Sequence, residues 1–213
     1  MNADELKTQL REAVEELESS KVRFLLRRAL LSGISPNDIV CGPMVEAMKT
    51  ISDRFDCGEI FLPQLLVATD CFDQAIEYLR YTTKEKLSPK GTVLVYTVEG
   101  DIHDIGKNIV SAVLRANGLH IVDLGRNVRA EKVVEEAERI KPQVIIAFAL
   151  MATTVPLQRE LPELLTAMGI RDRYRILVGG QDSRREWAKV IGADGYAVTV
   201  SEAVTEVFRL IES

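Results

Sequence analysis

The sequence predicts an all-α four-helix bundle followed by a Rossmann-like (flavodoxin-like) α/β domain with a doubly wound, parallel, five-stranded sheet. Three observations lead there. Residues 1–87 carry apolar residues at three- and four-residue spacing, with no β-rich run. The stretch "KEKLSPKG" is charged and then holds Pro89 and Gly91, the punctuation of a linker. Beyond it, short β-rich runs alternate with helical patterns, which is the grammar of a parallel sheet with crossover helices. The expected division is a helical cap domain over 1–87 and an α/β domain over 88–213.

In the first part, Leu6, Leu10, Ala13, Val14 and Leu17 form one amphipathic stripe. "SKVRFLLRRALLSG" reads as a second helix ended by Gly33. "SPNDIVCGPMVEAMKTISDRF" reads as a third, with Ser35 as N-cap and Pro36 at the first helical position. A fourth is expected from Pro63 to Lys86. Short connectors between such helices favour a bundle. In the second part, strands are expected at 92–98, 120–124, 143–149, 175–180 and 195–198. Helices are expected near 106–117, 130–140, 155–168, 183–191 and 201–212. The strands are almost continuously apolar, as burial on both faces requires.

Composition narrows the function. The chain has 213 residues, 46% of them apolar, and a formal charge of −5. No basic cluster is long enough to follow a phosphate backbone, which disfavours nucleic acid as a partner. The N-terminus is polar, and no run nears the roughly 18 apolar residues of a membrane span. A cytoplasmic protein is expected. Cys41, Cys57 and Cys71 form no C-x-x-C pair, so they read as reduced, partly buried thiols in helices.

In a doubly wound sheet, ligands sit beyond the carboxyl ends of the strands, where strand order reverses. "VEGDIHDIGKNIV" (98–110) occupies that place after the first strand. It lacks the glycine fingerprint of a dinucleotide site, and its acids would repel a pyrophosphate. Neither a phosphate-binding Walker loop nor an H-E-x-x-H zinc motif is present. What remains is Asp101, His103 and Gly106, spaced D-x-H-x-x-G. An imidazole is a good ligand for a transition metal, and a carboxylate two residues away can fix its tautomer. A bare ion needs more donors than one histidine, whereas a metal held in a macrocycle needs a single axial donor. The same residues also read as a hydrogen-bonded loop histidine with helix-capping acids at Asp101 and Asp104. Gly179–Gly180 equally reads as a tight strand-to-helix turn. Spacing alone leaves these alternatives open.

"GDIHDIGKNIV" resembles the signature of cobalamin-binding domains in methyl-transfer proteins, including cobalamin-dependent methionine synthase. The likeness continues through "NGLHIVDLGRNVRAEKVVEEA" and "VGGQDSRREWAKVIGADGYA", and "MKTISDRFDCGEIFLPQLL" (48–66) resembles the family's helical cap. Chain length is similar to the corrinoid subunits of anaerobic methyltransferase and O-demethylase systems. The resemblance implies that cobalamin gives up its own benzimidazole ligand. His103 then binds cobalt from below, with Asp101 as its hydrogen-bonded partner; these two are the implied catalytic pair. It implies that the nucleotide tail enters the α/β domain past Ile102, Asp104, Ile105 and Gly106. The tail would continue past the loop after the third strand (Phe148, Ala149, Leu150, Ala152, Thr153) and Gly179–Gly180. It implies that Phe55 and Leu62 cover the cobalt-bound methyl group; on periodicity alone these two are bundle core.

One segment departs from the family pattern. The family has S-x-L and, two residues later, threonine after the third strand; here the stretch is "FALMATT". Phe148 stands at the serine and Ala152 at the threonine, while Leu150 is kept. Two hydroxyls that would touch the nucleotide base are missing. The resemblance implies a methyl carrier, not a complete enzyme alone. Cob(I)alamin would be methylated by a substrate-specific methyltransferase, and methylcobalamin would serve an acceptor methyltransferase using folate or thiol. A reductive activating protein would complete the system. The cobalamin module of a radical mutase, which shares D-x-H-x-x-G, and a B12-responsive sensor are the rival readings.

Overall fold

The structure is a computed structural model and describes residues 2–83, 89–180 and 184–213. The chain forms two compact units, Met1–Pro89 with Arg115–Gly118, and Lys90–Leu114 with Leu119–Ser213. The expected junction at 87/88, the expected helix end at Lys86 and the expected helix start at residue 183 lie outside the described residues.

The helical unit begins with α1 (Ala3–Glu15). A reciprocal capping box starts it: Glu5 N donates to Asn2 Oδ1 at 2.7 Å, and Asn2 N donates to Glu5 Oε2 at 3.0 Å. Leu6, Leu10, Ala13 and Val14 are buried. Leu17 was expected in the same stripe but lies past the helix end, with φ 61°. α2 (Ser19–Leu31) buries Val22, Leu25, Leu26 and Ala29 and stops at Gly33, φ 81°.

The expected third helix is broken. α3 (Pro36–Ile39) is capped by Ser35, whose Oγ accepts from Asp38 N at 3.0 Å. A widened π-helical turn, Val40–Met44, follows, and α4 (Val45–Asp56) resumes the pattern. The cause is Gly42–Pro43: Gly42 leaves helical geometry at φ −99°, ψ −106°, and Pro43 has no N–H to continue the ladder. α5 (Leu62–Thr83) buries Leu65, Ala68, Cys71, Phe72, Ala75 and Leu79. α1 packs on α2, α4 and α5, and α5 also packs on α2 and α4, which makes the bundle. Of the cysteines only Cys71 is buried; contrary to expectation Cys41 is exposed on the π-helical turn, and Cys57 is exposed just past the end of α4 rather than within a helix.

The second unit holds β1 (Thr92–Thr97), α6 (Ile105–Ala116), β2 (His120–Asp123), α7 (Ala130–Ile140) and β3 (Val144–Phe148). It continues with α8 (Glu160–Ala167), β4 (Arg175–Gly179), α9 (Arg185–Val190), β5 (Gly195–Ala197) and α10 (Val200–Glu212). The helix expected over 155–168 opens instead as a 3₁₀ turn, Val155–Arg159. The strands are all parallel, in the order β2-β1-β3-β4-β5. Pairing sets Thr97 beside Phe148 and Phe148 beside Gly179. Leaving β1 the chain steps one way across the sheet; after β2 it steps the other. The C-terminal ends of β1 and β3 therefore flank the topological switch point.

Alternation along the strands separates the two faces. Leu94, Tyr96, Ile145, Ala147, Ile176 and Val178 join the core that contains residues of α7, α8 and α9. Thr97, Ile146, Phe148, Leu177 and Gly179 point to the other face. Right-handed crossovers place α6 on that face, and α10 packs there against β3, β4 and β5. A buried glutamine clamps the sheet edge near the site. Gln158 Nε2 donates to Ala147 O at 2.9 Å and Gly179 O at 3.0 Å, while Trp187 Nε1 donates to its Oε1 at 3.2 Å. Gln158→Leu keeps the volume but strands these partners. We expect a loss of about 2–4 kcal/mol in urea unfolding, from several unmade buried hydrogen bonds.

Candidate functional site

The site is built on the two loops at the switch point. After β1, Gly100 takes φ 77°, which a side-chain-bearing residue rarely adopts, and turns the chain. The turn points Asp101 inward and leaves His103 outward. Asp101 is fully buried. A buried carboxylate without partners would be costly; this one meets five donors. His103 N donates to Oδ1 at 3.0 Å, and the His103 ring sets Nδ1 2.9 Å from the same oxygen. Oδ2 accepts from Leu150 N at 2.8 Å, Met151 N at 3.3 Å and Thr154 Oγ1 at 2.7 Å. Burial alone would raise the Asp101 pKa. The donors from His103, Thr154 and Leu150 outweigh it and hold the carboxyl well below the usual carboxylate range.

An ionised Asp101 fixes the proton of the imidazole on Nδ1, which leaves Nε2 as the free lone pair. The His103 side chain is 46% exposed, so that lone pair is accessible. Ile102 (62% exposed), Ile105 (68%) and Leu150 (39%) add aliphatic surface around the same loops. Isolated aliphatic side chains on a surface mean little, but three from these two loops and the start of α6 offer an apolar rim for a flat, largely apolar ligand. Among the described residues, no group of three His, Cys, Asp or Glu side chains could hold a metal ion. The donor set is one imidazole, which suits a metal whose other positions a macrocycle fills.

Asp104 is half-buried; its carbonyl accepts from Asn108 N at 2.8 Å and opens α6. Gly106 lies in the first turn of α6, where an added Cβ would meet nothing within 4 Å. Phe148 packs its ring over Gly179, at 3.5 Å from the position of a Cβ there. Ala149 is buried, while Ala152 and Thr153 are exposed. Gly180 is a glycine of necessity: φ is 130°, and a Cβ would lie 1.8 Å from Ala149 O. Phe55 in the last turn of α4 and Leu62 at the start of α5 belong to the helical unit, each half-buried.

The chain matches a family model described as the B12 binding domain over residues 91–207, and a second model of the same description over 6–80. The chain belongs to the B12-binding corrinoid proteins. It is 34% identical to the trimethylamine corrinoid protein of Methanosarcina barkeri, covering 97% of this chain and 96% of that one. It is 35% identical to dimethylamine corrinoid protein 1 of Methanosarcina acetivorans, covering 99% and 100%. Among solved structures, the methanol:cobalamin methyltransferase complex MtaBC of Methanosarcina barkeri matches with a TM-score of 0.83 at 33% identity, over 99% of this chain and 81% of that one. Cobalamin is the cofactor that this membership assigns, and the lone imidazole and its apolar rim fit it.

Thr154 is the residue that sequence reasoning passed over. It lies six residues past Phe148, in a stretch with no strand or helix period, so only folding brings its hydroxyl to Asp101. For Asp101→Asn we expect a stability loss that depends on pH. The folded carboxyl has a depressed pKa. Its contribution is therefore present above the ordinary value near 3.9 and fades as pH falls further toward the folded pKa. Urea unfolding should separate the two proteins most at pH 7, with a narrowing gap below about pH 4.

Proposed function

We propose that His103 is the axial ligand through which this chain holds the cobalt of cobalamin with its benzimidazole displaced. The chain works as a methyl carrier, taking the group from one methyltransferase and presenting it to another. The observation that carries the ligand assignment is the His103–Asp101 pair: an accessible ring whose Nδ1 lies 2.9 Å from a buried carboxylate. When bound, cobalamin supplies a cobalt centre that takes up and gives up a methyl group. The protein's residues position and tune that centre.

Asp101 holds the Nδ1 proton and so aims the Nε2 lone pair outward. The carboxylate itself does not take a proton, because five donors stabilise the anion.

The face of the sheet that carries Phe148 and Gly179 fits a nucleotide tail. Ser111, on α6, has a buried hydroxyl with no hydrogen-bond partner among the described residues. Such an orphaned group calls for a partner. A base stacked on Phe148, with a tail bonded to Ser111, offsets the hydroxyls that Phe148 and Ala152 replace. Gly180 keeps the backbone close behind this face.

The trimethylamine, dimethylamine and methanol proteins that this chain resembles match at similar identity. A methylamine methyltransferase is the first donor partner to try, with a methanol enzyme as the second. The acceptor enzyme would use a folate or thiol, a reductive activating protein would restore the cofactor, and the system would operate in the cytoplasm. The test has two parts. Labelled methyl should pass from donor through this chain to an acceptor when purified partners are mixed. His103→Ala should keep bound cobalamin but lose the nitrogen hyperfine pattern of the Co(II) electron paramagnetic resonance spectrum. A His103→Ala spectrum identical to the parent's would remove the ligand assignment.

A further inference from the structure

The loop that carries Asp101 and His103 is held from outside by its neighbour, the segment between β2 and α7. That neighbour is itself firmly anchored. At its start, Asp123 accepts from Gly125 N at 2.8 Å through Oδ1 and from the buried Lys107 ammonium through Oδ2. At its end, Val128 N donates to Thr97 O at 3.0 Å, and Val128 bridges Val98. Between them, Thr97 N donates to Gly125 O at 3.0 Å. The segment is thus tied to β1 at both ends.

From this base, two consecutive residues reach three consecutive residues of the histidine loop. Asn127 Oδ1 accepts from Gly100 N at 2.8 Å. Asn127 N donates to Asp101 O at 3.0 Å. Arg126 Nη1 donates to Ile102 O at 3.3 Å. Asn127 itself has φ 55°. That conformation is open to glycine, asparagine and aspartate, but only the latter two also provide a side-chain acceptor. Two left-handed residues, Gly100 and Asn127, are thereby bonded to each other between the loops that follow β1 and β2.

We propose that Asn127 is a positioning residue: it staples Gly100 and Asp101 so that the Asp101 carboxylate meets His103 Nδ1 and the ring keeps one tautomer and one direction. The hydrogen bonds of Asn127 run to the backbone of Gly100 and Asp101, so its effect passes through the backbone of residues 100–101. The consequence for the cofactor rests on the ligand role proposed above for His103. The bond geometry of the loop does not.

The test compares the full chain with Asn127→Gly, which keeps the left-handed backbone but loses Oδ1, and Asn127→Asp, which keeps an acceptor oxygen. Without cofactor, nitrogen NMR of the imidazole should show the Nδ1–H tautomer in the parent and a mixture in Asn127→Gly. Amide exchange at Asp101 and His103 should quicken by roughly fivefold to tenfold, the scale of one lost hydrogen bond, while amides of Val93–Tyr96 keep their protection. Asn127→Asp should restore the parent's behaviour. After reconstitution with cobalamin, the share of histidine-ligated Co(II) should fall in Asn127→Gly and recover in Asn127→Asp. The proposal is overturned if Asn127→Gly keeps the parent tautomer and exchange rates, or if protection in β1 falls equally. It is also overturned if the ligated share stays constant while the loop loosens. A parent protein with no histidine-ligated cobalt would remove the ligand reading instead, and the cofactor-free measurements would then decide the staple alone.

Discussion

Everything at the site depends on one buried negative charge. Asp101 sits where the chain reverses direction across the sheet, and it is stabilised by groups that two separate loops deliver. Removing water from a carboxylate costs several kcal/mol unless donors replace it. The loop after β3 can satisfy that demand only if Leu150, Met151 and Thr154 all turn toward it. Asp101 thus shapes both loops, and His103 inherits its orientation from that arrangement.

Topology explains why the charge can sit there. Parallel strands deliver their carboxyl ends to one edge, and the reversal of order between β1 and β3 leaves a gap between the departing loops. Thr97 and Phe148 end the two strands in register. The two loops therefore start level with one another, within reach of a single carboxylate. Next door, the tie between β2 and β1 brings the Asn127 turn alongside the same loop. Gly180 follows from crowding: a carbonyl oxygen stands where any side chain would begin.

Much of the fold was legible because burial leaves a period in the sequence. The strands of β1 and β3 read as continuous apolar runs, and α1 shows its buried stripe in Leu6, Leu10, Ala13 and Val14. The errors arise where a local backbone preference interrupts that period. Gly42 and Pro43 break a helix whose apolar spacing runs on through the break. Leu17 sits at the right spacing but just past the end of α1. The exposed Cys41 and Cys57 were misjudged because free cysteine is usually buried, and a type average carries no information on helix face.

The sequence by itself determined the alternation of strands and helices, the D-x-H-x-x-G spacing and the family that this spacing resembles. It placed Asp101 two residues from His103, close enough for their bond to form locally. Only the tertiary structure decided that Asp101 stays an anion, because its other donors lie 49–53 residues away along the chain. It likewise decided the roles of Thr154 and Asn127. A hydroxyl and an amide in irregular loops carry no periodic signal, and their partners are chosen by strand order and register rather than by neighbours in sequence.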